Sequence, residues 1–131
     1  MEQTQEVPKA LRTWFVIHFW ADILFALPLL VAPDAFLRLL GWEMTDPFTA
    51  RLVGAALIGI GVESLLGRNA TAKSFLTMLR LKILWSGTAV LGILASMLQG
   101  APPLGWAIFG IFVAFNGLWS YWYLRLSRPA Q

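Results

Sequence analysis

His18 and Asp22 lie four residues apart within an apolar run from Thr13 to Ala32 that holds no other ionisable residue. On a helix that spacing is one turn, so imidazole and carboxylate share a face and can form an ion pair or a neutral hydrogen-bonded pair. A pair able to hold its proton on either partner is the equipment of a proton-coupled carrier or of an intramembrane acid–base catalyst. Because ionisable groups at membrane depth are costly, Asp22 is the residue most in need of a functional explanation.

Three later apolar runs add further polar residues. Glu63 lies near the end of the second run, Lys82 near the start of the third, and Asn116 near the middle of the fourth, with Ser120 one turn beyond. At about 1.5 Å of rise per residue these depths converge in one half of a bundle. His18, Asp22, Glu63 and Asn116 therefore form the candidate ligand-binding set. Glu63 and Lys82 read as a structural polar pair that holds helices in register, and Lys82 is also long enough to snorkel towards headgroups. Asn116 suits an interhelical hydrogen bond worth roughly 0.6 to 2 kcal/mol. No spacing signature joins His18, Asp22 and Glu63 into a metal site, no residue is assigned a catalytic role, and no cofactor is expected. Trp20 and Trp85, away from the helix ends, read as packing residues that are also placed to line an apolar pocket.

The elements that must position these groups are membrane spans. Of 131 residues 58% are hydrophobic and only 13% charged, and the mean hydropathy is +0.67. Such a chain cannot cover a water-soluble globule. With no Cys, disulfides, thiolate catalysis and zinc–thiolate sites are excluded. The fold expected is all-α, a transmembrane four-helix bundle in a single domain over 1–131. Helices are expected at about 11–32, 47–66, 78–99 and 104–126, after a polar tail from Met1 to Lys9. Pro33 opens a short amphipathic segment ending at Gly41, which is expected to be an interfacial helix after helix 1. Asp46 followed by Pro47 reads as an N-cap and first helical position. Gly54, Ala55, Ala56, Gly59 and Gly61 in the second helix, and Thr88, Gly92 and Ser96 in the third, form faces small enough for close approach.

Lys and Arg set the orientation. Lys9, Arg12, Arg68, Lys73, Arg80, Lys82, Arg125 and Arg128 fall on one side and only Arg38 and Arg51 on the other, which predicts that both termini are cytoplasmic. These cations sit at helix ends rather than in a patch, so the net charge of +3 gives no ground for a nucleic-acid partner.

The stretch A-P-D-A-F-L-R-L-L-G-W from Ala32 to Trp42, with D-P-F-T-A-R-L-V-G-A-A-L-I-G-I-G from Asp46 to Gly61, resembles a pattern of small bacterial four-helix membrane proteins, broadly DoxX-like. The resemblance implies a bacterial inner-membrane bundle and brings no catalytic residues with it. The leading expectation is an integral membrane protein that binds a small or lipid-like molecule in a polar intramembrane pocket, with proton-linked transport as its extension. The alternatives are a structural or accessory subunit of a homo-oligomer or larger membrane complex, and an enzyme acting on a lipid or quinone. The partners foreseen are membrane lipids and a small-molecule ligand.

Overall fold

Asp46 and Pro47 show how local chemistry sets a helix boundary. The Asp46 carboxylate accepts from the backbone N–H groups of Phe48 (3.1 Å) and Thr49 (3.3 Å) and from the Thr49 hydroxyl. Pro47, lacking an N–H to satisfy, takes the first helical position. The Thr49 hydroxyl, and after it the Thr49 amide, hold the Asp46 carboxyl below its ordinary value of 3.8. A lowered folded-state pKa means that the cap acts in full above 3.8 and is lost as pH falls through the folded value. Asp46→Ala is accordingly expected to lower hydrogen-exchange protection factors at Phe48 and Thr49, and acidification of the wild type to do the same. Unchanged protection in the variant would show that the cap does not hold this turn.

The computed structural model describes residues 5–129. Helix α1 runs over Lys9–Val31, α2 over Pro33–Leu39, α3 over Pro47–Leu66, α4 over Ala72–Leu98 and α5 over Gly105–Ser127, with a 3-10 turn at Gly67–Asn69. Four of these, α1, α3, α4 and α5, are long and apolar enough to cross a membrane. The fold is thus the expected all-α four-helix bundle with a short helix after the first. Residues 1–4 of the polar tail lie outside the described residues.

The largest boundary difference is at α4, which starts at Ala72 rather than near 78. Thr71 caps it by accepting from the Ser74 N–H. Phe75 and Leu79 are fully buried in its first turns, so that stretch belongs to the bundle core rather than to a lead-in. Helix α1 continues through Pro28 to Val31. In α2, Phe36 and Leu37 pack inward while Leu39 is exposed.

The long helices associate as two antiparallel pairs, α1 with α3 and α4 with α5. Glycine makes the first pair close. A Cβ on Gly54 would lie 2.9 Å from Leu30 Cγ, and one on Gly61 would lie 2.8 Å from Asp22 Cβ, closer than carbon atoms pack. The small face expected on α4 has no such neighbour. Thr88, Gly92 and Ser96 are exposed, and the two hydroxyls bond back to carbonyls of their own helix.

At the end that carries both termini, Val7, Leu11, Phe15, Phe75, Leu79, Trp119, Trp122 and Leu126 form one buried core that joins the two pairs. The Phe15 ring stacks at a tilt on Phe75 (4.5 Å between centroids) and edge-on to Trp119 (5.7 Å). Arg12 fastens the start of α1 to the α3–α4 connection, donating to the carbonyls of Arg68 (2.7 Å) and Ala70 (3.2 Å). Towards the other end a smaller cluster, Ala26, Leu29, Ala50 and Leu57, binds α1 to α3, and a cavity separates this pair from α4 and α5.

Candidate functional site

A polar cluster lies where the aromatic core ends and the cavity begins. Helix α1 contributes His18 and Asp22, its successive inward-facing turns, which are 7% and 6% exposed. Helix α4 contributes Lys82 and, one turn later, Ser86, each 3% exposed, and α3 contributes Ser64 at 1%. The Lys82 ammonium is the hub. It donates to the Ser64 hydroxyl and lies 2.9 Å from His18 Nδ1. Its Nζ is also 5.0 Å from the ring centre of Phe15 and 5.1 Å from that of Trp119, within cation–π range. The imidazole is held edge-on between Phe115 and Trp119, at 4.9 and 5.0 Å.

The Asp22 carboxylate has no donor among the described residues. An ammonium has only donors, so Nδ1 accepts from Lys82, and a neutral ring then carries its proton on Nε2. Asp22 Oδ2 stands 3.2 Å from that same Nδ1, but the single lone pair of the nitrogen is already engaged and no proton lies between the two atoms. Asp22 receives no hydrogen bond from any described residue, and its Oδ2 is fully buried. Buried acceptors are normally satisfied, and an ionised one left without a donor is costly.

The structure corrects two sequence expectations. Glu63 does not pair with Lys82: it is exposed, while Ser64, the next residue and about 100° further round the helix, faces inward and takes the ammonium. Among the described residues the one basic side chain with a nitrogen within 4 Å of a carboxylate oxygen is His18, beside Asp22. Asn116 also lies apart from the carboxylate. Its Nδ2 donates to Ser86 Oγ (2.9 Å) and to the Ile83 carbonyl (3.1 Å), fastening α5 to α4 as an interhelical hydrogen bond. Of the four candidate binding residues, His18 and Asp22 come together, and Glu63 and Asn116 do not line the cavity. No group of three His, Asp or Glu residues able to hold a metal ion occurs among the described residues.

The site residues that the sequence reading missed are Ser64 and Ser86, together with the central place of Lys82. A usable signal for Ser64 was present. Ala50, Gly54, Leu57, Gly61 and Ser64 recur at intervals of three and four and are the buried residues of α3, so Ser64 lies on the inward stripe and Glu63 lies beside it.

The cavity has a volume of about 600 Å³. His18, Asp22, Lys82 and Ser86 form its inner end, and its walls are mainly apolar, including Phe25, Leu57, Trp85, Phe112 and Phe115. Trp85 thus takes the pocket-lining role, whereas Trp20 is 59% exposed and absent from the lining. Met44, Asp46 and Thr49, all exposed, mark one rim at the turn between α2 and α3. Val53 of α3 and Ile111 of α5, also in the lining, are 40% and 43% exposed. An apolar chamber with a few convergent polar groups at one end has the usual form of a small-molecule site. Compared with family models, with curated proteins and with solved structures, the chain matches none of them.

Proposed function

We propose that this protein binds a small or lipid-like molecule inside the bundle, with the polar end of the guest at Asp22 and its apolar body between the two helix pairs. The observation that carries this reading is an acid 6% exposed, without a hydrogen bond from any described residue, at the inner end of a cavity of about 600 Å³. A structural register pin has no need of the empty space beside it. The packed core at the terminal end favours retention of the guest over passage through the bundle, so binding is placed ahead of proton-linked transport.

The setting we propose is a bacterial inner membrane with both termini cytoplasmic. The resemblance over Ala32–Gly61 to DoxX-like proteins supports the membrane. The basic residues support the orientation: with Lys82 set aside as an interior group, seven remain on the terminal side against two on the other.

Ala21 lines the cavity beside Asp22, which makes Ala21→Phe a blocking variant that leaves the polar cluster chemically intact. Native mass spectrometry of protein extracted in nanodiscs from its own membrane is expected to show a bound amphiphile on the wild type and little or none on Ala21→Phe. Equal occupancy of the two proteins, or none on either, would refute the proposal.

A further inference from the structure

We infer that the guest is a neutral amphiphile whose polar end is a hydroxyl group. This rests on the binding reading above and narrows it to one chemistry. The inner end of the cavity carries no net charge: His18 is neutral because its Nδ1 accepts from Lys82, and the formal charges of Lys82 and Asp22 cancel. A carboxylate, phosphate or ammonium guest would bring an unmatched charge to a place where Asp22 and Lys82 are already 6% and 3% exposed, and an unpaired buried charge is strongly disfavoured.

Among neutral end groups, donor and acceptor counts decide. Asp22 needs a donor, since no described residue supplies one to either oxygen; Oδ2 is fully buried, so the oxygen open to a guest is Oδ1, on a residue that lines the cavity. Ethers, esters and ketones offer acceptors alone and would set another oxygen lone pair against the carboxylate. Lys82 has three N–H donors, of which His18 and Ser64 take two. A hydroxyl satisfies both demands at once, donating to Asp22 and accepting from the remaining Lys82 donor. The aromatic walls suit a hydrocarbon body.

The test uses four probes with one chain: dodecanol, methyl dodecyl ether, dodecylamine and dodecanoate. Each is added at equal membrane mole fraction to the protein in phosphatidylcholine nanodiscs, whose zwitterionic surface enriches neither charged probe, and occupancy is read by native mass spectrometry. Dodecanol is expected to exceed each of the others by roughly tenfold or more, because a site built to bond a hydroxyl discriminates against analogues that lack it. In the double variant Asp22→Leu with Lys82→Met the alcohol and the ether should bind alike. Equal occupancy by alcohol and ether in the wild type, or preference for either charged probe, overturns the hydroxyl inference. If those probes are still displaced by Ala21→Phe, the binding reading survives. A native adduct that none of the four probes competes with also overturns the hydroxyl inference, whereas absence of any adduct and of any probe binding overturns both.

Discussion

Replacing Lys82 with methionine should destabilise the bundle by roughly 3 to 5 kcal/mol, the usual cost of removing one member of a buried charged pair. Methionine keeps most of the length and apolar bulk of lysine, so packing against Phe15 and Trp119 is largely retained and the loss is electrostatic. It leaves the Asp22 carboxylate without a neighbouring cation, and His18 Nδ1 and Ser64 Oγ without their shared donor. Adding Asp22→Asn removes the lone charge, so the double variant should recover more than half of the deficit. Equilibrium unfolding of the single and double variants in mixed micelles supplies the cycle. A single variant within about 1 kcal/mol of wild type would mean that the ammonium is not what balances Asp22.

Gly61→Ala is the second large effect, and its sign runs against local propensity. Alanine is the better helix former by about 1 kcal/mol, and at Gly59, where a Cβ meets nothing within 4 Å, the same change should be neutral or stabilising by up to that amount. At Gly61 the new methyl would stand 2.8 Å from Asp22 Cβ and 3.2 Å from its Oδ2. Both neighbours are anchored close to the α1 backbone, so the helices must separate. Overpacking of this kind costs about 1 to 3 kcal/mol, and it also carries His18 and Asp22, both on α1, away from Ser64 on α3. The same unfolding assay compares the two alanines, and equal stability would refute the close α1–α3 contact.

These two sites also show what could be read in advance. Helix number and most helix ends follow from local features, the apolar length of each span and residues such as Asp46, Pro47 and Pro33, and these were legible. The inward pairing of His18 with Asp22 was legible too, because one turn of one helix relates them whatever surrounds it. Contacts between helices were less so. Depth along a span is a simple count of residues, and it places Glu63 and Lys82 at similar levels. Rotation about the axis depends on which stripe finds a neighbour, and a difference of one residue exchanges Glu63 for Ser64. Small residues carry the same ambiguity: the stripe through Gly54 and Gly61 meets α1, while Gly92 on α4 meets nothing within 4 Å. Lys82 was expected to pair with Glu63, with the length to snorkel towards headgroups as well. Two aromatic rings, a hydroxyl and an imidazole, drawn from α1, α3 and α5, keep it inside.

The division of the bundle into two helix pairs bears on how the chain matures in its membrane. The carboxylate belongs to the first pair and the ammonium to the second, so neither hairpin is electrically complete when it inserts. A nascent chain stalled before the pairs join would show the surrounding lipid a lone acid on one half and a lone base on the other. Docking cancels both charges in a single event and creates the chamber at the same moment. Completion of the polar cluster and formation of the chamber are therefore one step, and a chain that fails it is left with both charges unmatched within the spans.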